Sequence, residues 1–156
     1  MPGGTIALTH VPSPRMDACV RTFAAVETID LGRVAEQHAA YRTALERAGA
    51  TVEVLDDNRE HPDAVFIEDA AIVLDEVAIP AGSARHRRVV AILPPVTREP
   101  LAANVVAIGD AVVAGAYPRT AERIAPHARD VIVVDLGELA KADGSATCLS
   151  ILIAGR

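Results

Sequence analysis

One long helical pattern between two short β-runs constrains this chain more than any other feature. In "DLGRVAEQHAAYRTALERAGA", residues 30–50, Leu31, Val34, His38, Tyr41, Leu45 and Ala48 recur at helical spacing. Asp30 stands where an N-cap is needed and Gly49 where the helix must stop. "TIALTHV" precedes it and "TVEVLD" follows, so the N-terminal third reads as strand–helix–strand.

The rest of the chain is a string of shorter units. "AAIVL" and "VAIP" read as a hairpin around Asp75–Glu76, and "VVAILPP" as an apolar run closed by two prolines. "NVVAIGDAVVAGA" is a second hairpin turning at Gly109–Asp110. A short helix "PRTAERIAPHA", a strand "DVIVVDL", a helical turn "GELAKAD" and a closing strand "TCLSILI" complete the order. The alternation of ββ and αβ pieces argues an α+β chain or a repeat-built, propeller-like one rather than a doubly wound sheet. One domain is expected over 1–156, because no low-complexity linker interrupts it.

Composition narrows the function classes. Half of the 156 residues are hydrophobic, yet only two Phe, two Tyr and no Trp occur, so the expected core is aliphatic. The formal net charge of −6 and the lack of a basic stripe argue against a nucleic-acid surface. The opening "MPGGTIALTH" lacks the pattern of a signal peptide, and no apolar run approaches membrane-spanning length, so a cytoplasmic protein is expected. The two cysteines, Cys19 and Cys148, form neither a metal motif nor a disulfide framework. No nucleotide fingerprint or metal pattern is present, and no cofactor is expected.

Three clusters carry possible chemistry. Asp63, Glu68 and Asp69 lie within seven residues of one another, the last two directly after "AVFI". Such acids either mark the solvated edge of a strand or clamp a cation, and a planar guanidinium matches carboxylate oxygens. Cys148, read in an extended "TCLSILI", points away from the face of Leu149, Ile151 and Ile153. A free cysteine is more often a small packed hydrophobe than a nucleophile, so this position stays open on its residues alone. "GSARHRR" brings Arg85, Arg87 and Arg88, either a solvated basic loop or a site for a carboxylate. Of five histidines, His38 falls on the apolar helix face and is expected to be packed and hydrogen-bonded.

Taken in order, "THVPSPR", "HPDAVFIEDAAIV", "AANVVAIGD", "YPRTAERI" and "KADGSATCLSIL" resemble the dimethylarginine dimethylaminohydrolases. These belong to the guanidino-modifying (pentein) superfamily, with the arginine deiminases and amidinotransferases. The resemblance implies a five-bladed α/β propeller with the substrate in a central channel. It implies Cys148 as the nucleophile and Asp63, Glu68, Asp69 and Asp143 as the acidic lining of the pocket. It also implies that Arg87, or else Arg85, binds the substrate carboxylate. The reaction would release citrulline and dimethylamine from dimethylarginine through a covalent thiouronium. The chain departs from the family in being shortened around 88–100. It has no Gly-Gly-Asp and no His-Leu-Lys motif, where the family keeps its catalytic histidine. About two ββαβ-like modules of the ring are therefore expected, with self-association at the open edges. A remnant that only binds arginine-like ligands is the alternative.

Overall fold

The computed structural model describes residues 4–68, 71–73, 78–80, 99 and 101–154. Strand β1 (Thr5–His10) runs through a loop into helix α1 (Leu31–Arg47) and then β2 (Ala50–Leu55), which lies parallel to β1. Helix α1 starts where Asp30 accepts the N–H groups of Gly32 and Arg33, at 2.9 and 3.1 Å. It ends just before Gly49, whose φ of 103° suits only a residue without Cβ. The apolar face is as read from spacing, with Val34, His38, Tyr41 and Leu45 buried, except that Leu31 at the first helical position is 37% exposed.

Strands β3 (Ala71–Val73) and β4 (Ala78–Pro80) form the first expected hairpin. Strands β5 (Val106–Ile108) and β6 (Ala111–Gly115) form the second, joined by Gly109 and Asp110. Helix α2 (Pro118–Ile124) then crosses to β7 (Asp130–Val134), parallel to β6. The α2 start is held from outside: the Glu99 carboxylate accepts from Arg119 N (3.0 Å), Thr120 N (2.9 Å) and the Thr120 hydroxyl (2.7 Å). The short helix α3 (Gly137–Ala140) and a 3-10 turn lead into β8 (Ile151–Ala154), antiparallel to β1.

The class is α+β, and two units share one connectivity. In β5-β6-α2-β7 an antiparallel strand precedes a parallel crossover; β8-β1-α1-β2 repeats this order, with the last strand serving as its first. One buried cluster joins the two, from Ala7 and Val34 through Leu45 to Val113, Ile132 and Leu149. The expected strand "VVAILPP" and the turn at Asp75–Glu76 lie outside the described residues.

The loop before α1 is fastened to α3. The buried Glu138 carboxylate accepts the Asp30 N–H at 2.9 Å and pairs with Lys141 at 2.9 Å. Lys141 also donates to the Thr28 carbonyl at 3.2 Å. The Glu138 N–H in turn donates to Gln37 Oε1 at 2.9 Å, so the helix and the loop are locked together.

Candidate active site

Cys148 is not on a strand. It sits in the 3-10 turn Ala146–Leu149, and β8 begins only at Ile151. The alternation in "TCLSILI" fits a strand, but the Cys148 N–H bonds to the Ser145 carbonyl at 3.1 Å and curls the segment. Ala146 and Leu149 are buried on the inner side of the turn, and Thr147 and Cys148 are half-buried on the other. The thiol therefore sits off the apolar face, as the strand reading also had it, but on a bend.

Short 3-10 turns have weak internal hydrogen bonding, so outside contacts decide their shape. Before the turn, the Ser145 hydroxyl donates to the Leu101 carbonyl at 3.3 Å. Across its middle, the Tyr41 hydroxyl donates to the Ala146 carbonyl at 2.8 Å and lies 2.8 Å from Ser150 Oγ. Burial pushes the Tyr41 hydroxyl well above the usual phenol range, the nearby Cys148 adding to the effect. The sequence places Tyr41 on the apolar face of the helix, but marks neither Tyr41 nor Ser150 as part of the site. The available signal was a tyrosine on an apolar helix face, since a buried O–H needs a partner.

The acids meet around the loop that follows Cys19. Asp63 accepts the Val20 N–H at 3.2 Å. Asp143, five residues before Cys148, has a φ of 59° and accepts the backbone N–H groups of Phe23 (3.0 Å) and Ala24 (2.6 Å), as well as that of Thr22. The N–H of Phe23, then those of Thr22 and Ala24, hold the Asp143 carboxyl below its usual range, and the Arg21 charge helps. The loop also braces itself: Arg21 donates to the carbonyls of Glu27 (2.7 Å) and Asp17 (3.1 Å). Phe23 and Val26 are left 91% and 93% exposed. An open cleft beside Asp63 is lined by His10, Arg15, Asp57, Glu60 and His61. Glu68 is half-buried, whereas Asp69, Arg85 and Arg87 lie outside the described residues. So Asp63 and Asp143 hold one and the same loop, and Asp143 ties that loop to the chain segment carrying Cys148.

His38 is buried as expected, but its Nε2 has no hydrogen-bond partner among the described residues. Burial, with Arg42 and His10 nearby, lowers its pKa to about 4, so the ring is neutral near pH 7. Among the described residues no group of three or more His, Cys, Asp or Glu side chains could hold a metal ion. None of the described helices is long and apolar enough to cross a membrane.

Solved structures share this fold. A dimethylarginine dimethylaminohydrolase, a histidine-to-glycine variant carrying an S-methyl-L-thiocitrulline adduct, superposes with a TM-score of 0.81 over 98% of this chain and 100% of its own, at 17% identity. The chain has the dimethylarginine dimethylaminohydrolase fold. A second dimethylarginine dimethylaminohydrolase, the Pseudomonas aeruginosa enzyme as a cysteine-to-serine mutant with citrulline, gives 0.76 over 97% of this chain and 100% of its own, at 18% identity. The N-terminal domain of ArgZ, a cyanobacterial arginine dihydrolase bound to product, gives 0.74 over 97% and 98%, at 12% identity. In sequence, 73 residues are 38% identical to the N(G),N(G)-dimethylarginine dimethylaminohydrolase of Streptomyces coelicolor. That match covers 47% of this chain and 28% of the relative, so the matched stretch spans less than a third of the length of the curated relative. No family model matches.

Proposed function

We propose that this chain acts on the guanidino group of an arginine-type substrate, hydrolysing N-methylated arginine to citrulline and an amine. The observation that carries the reading is the placement of Cys148: half-buried, on a turn fixed from outside, five residues from an acid that orders a neighbouring loop. The dimethylarginine dimethylaminohydrolase fold supports it.

In this reading Asp63, Glu68, Asp69 and Asp143 give the pocket its negative lining, and Arg87, or else Arg85, takes the substrate carboxylate. A guanidinium held by such acids brings a positive charge beside the thiol and favours the thiolate. The Cys148 sulfur attacks the guanidinium carbon and forms a C–S bond. The C–N bond to dimethylamine then breaks, and the amine leaves with a proton taken from solvent, to which the water of the second step gives up its own protons. Water adds to the thiouronium carbon, the C–S bond breaks, and citrulline and the thiolate result. One-domain organisation over 1–156 belongs to the same proposal.

A second reading, a chain that binds arginine-like ligands without turnover, is favoured by one observation: the sequence has no His-Leu-Lys motif to serve the leaving amine and the attacking water. General acid–base help is typically worth about 10²–10⁴-fold. Citrulline release from dimethylarginine, measured alongside labelling of Cys148 by a haloacetamidine, separates the two. Release and labelling together support hydrolysis. Labelling without release supports the binder, and neither result at high protein concentration rejects both.

A further inference from the structure

We infer that Tyr41 is a positioning residue for the Cys148 thiol: its buried hydroxyl ties both flanks of the thiol-bearing turn to helix α1. The inference rests on the proposed role of Cys148 as nucleophile.

The geometry is specific. Tyr41 is fully buried, at the centre of the apolar face of α1, and Ser150 is buried opposite it. The phenol has a single hydrogen. With that hydrogen on the Ala146 carbonyl at 2.8 Å, the 2.8 Å contact to Ser150 requires the serine to donate. The chain Ser150 Oγ–H to Tyr41 Oη–H to Ala146 O then spans the turn, with Cys148 midway between its ends. Burial keeps the phenol protonated throughout the physiological range, so this polarity is fixed. Two effects on the sulfur follow. The brace holds a turn whose own hydrogen bonding is weak, and a nucleophile displaced by a fraction of an ångström loses its line of attack. The brace also occupies the Ala146 carbonyl oxygen. A bare carbonyl dipole two residues from the sulfur would oppose the negative charge of a thiolate.

Tyr41→Phe removes only the hydroxyl and keeps the ring in the core. Two readouts apply to the full chain. The first is the pH profile of Cys148 alkylation by iodoacetamide, read by mass spectrometry on the tryptic peptide that follows Lys141; Cys19 falls on a different peptide. The second is citrulline release resolved into kcat and KM. Tyr41→Phe is expected to move the alkylation midpoint upward, slowing reaction at neutral pH by about threefold, and to lower kcat by about tenfold with KM little changed. Ser150→Ala should shift both in the same direction by less. A Tyr41→Phe protein that melts earlier but keeps the parental alkylation profile overturns the inference, leaving Tyr41 a packing residue. If Tyr41→Phe does not fold, Ser150→Ala decides: an unchanged profile there overturns it too. A parent chain that releases no citrulline defeats the hydrolase reading, while the alkylation profiles still decide the role of Tyr41.

Discussion

The Asp143 carboxylate accepts the backbone N–H of Ala24 at 2.6 Å, across 119 residues of sequence. With the N–H groups of Thr22 and Phe23 on the same carboxylate, one acid fixes three successive residues of a loop that otherwise exposes an aromatic ring. Removing the side chain in Asp143→Ala should loosen this loop. Trypsin cleavage after Arg21 is expected to speed up by about tenfold, the scale of one lost charge-assisted bond. Asp143→Asn should do less, because an amide oxygen still accepts and asparagine tolerates the left-handed backbone found there. The carboxyl is held below its usual range, so its contribution is complete above the ordinary aspartate pKa and disappears as pH falls through the lowered value. Loop protection should therefore persist at pH 5 and fade only in stronger acid. Equal cleavage rates for parent and Asp143→Ala would show that the loop is held by something else.

His38 sets a second pH limit. Its ring is neutral when folded, with a pKa lowered to about 4, and regains the ordinary value of 6.5 on unfolding. Below pH 6.5 the unfolded chain binds the extra proton, so stability falls with acid by about 3 kcal/mol by pH 4. The groups that oppose its charge are Arg42, four residues on in α1, and His10 at the end of β1. Urea unfolding at pH 7 and at pH 4.5 should show a large loss for the parent and a clearly smaller one for His38→Gln. Parallel losses in the two proteins would remove His38 from the account.

Gly144 permits the close packing beneath the Cys148 turn. A Cβ at this position would run into the edge of the Phe66 ring and sit 3.0 Å from the Leu139 carbonyl oxygen. Because a backbone atom is involved, the ring cannot relieve the clash alone. Gly144→Ala should cost about 1–3 kcal/mol. Phe66→Leu in the same chain should recover part of that loss, which a double-mutant cycle on thermal melts would reveal. An unshifted melting midpoint for Gly144→Ala contradicts this packing.

Cys148→Ser should abolish citrulline release and haloacetamidine labelling while leaving the fold in place. The position is half-buried and the replacement nearly isosteric, so the melting midpoint should move by only a few degrees. Release that survives the substitution would move the chemistry to another residue.

What was legible in the sequence follows the range of the interactions. Helix α1 could be read because its cap, Asp30, lies within three residues of the N–H groups it serves. The β5–β6 hairpin could be read from Gly109–Asp110. The bend at Cys148 could not, because the tyrosine that stabilises it is 105 residues away and the local alternation suits a strand equally well. The loop-holding engagement of Asp143 escaped notice for a related reason. Its partners are backbone N–H groups, which every residue but proline carries and no sequence pattern marks. His38 was legible as buried, not as lacking a partner on Nε2, since only the packed neighbourhood decides that.

The pairing of β8 with β1 sets Thr5 beside Ala154. During synthesis, β1, α1 and β2 emerge early but lack the antiparallel neighbour of β1 until residue 154 has cleared the ribosome. Such long-range closure is slow, because loop entropy is lost before the contact forms. The Cys148 turn directly precedes β8, so the thiol should take its final place only when the sheet is sealed. A nascent chain stalled before that point would carry Cys148 on a turn not yet anchored to the sheet.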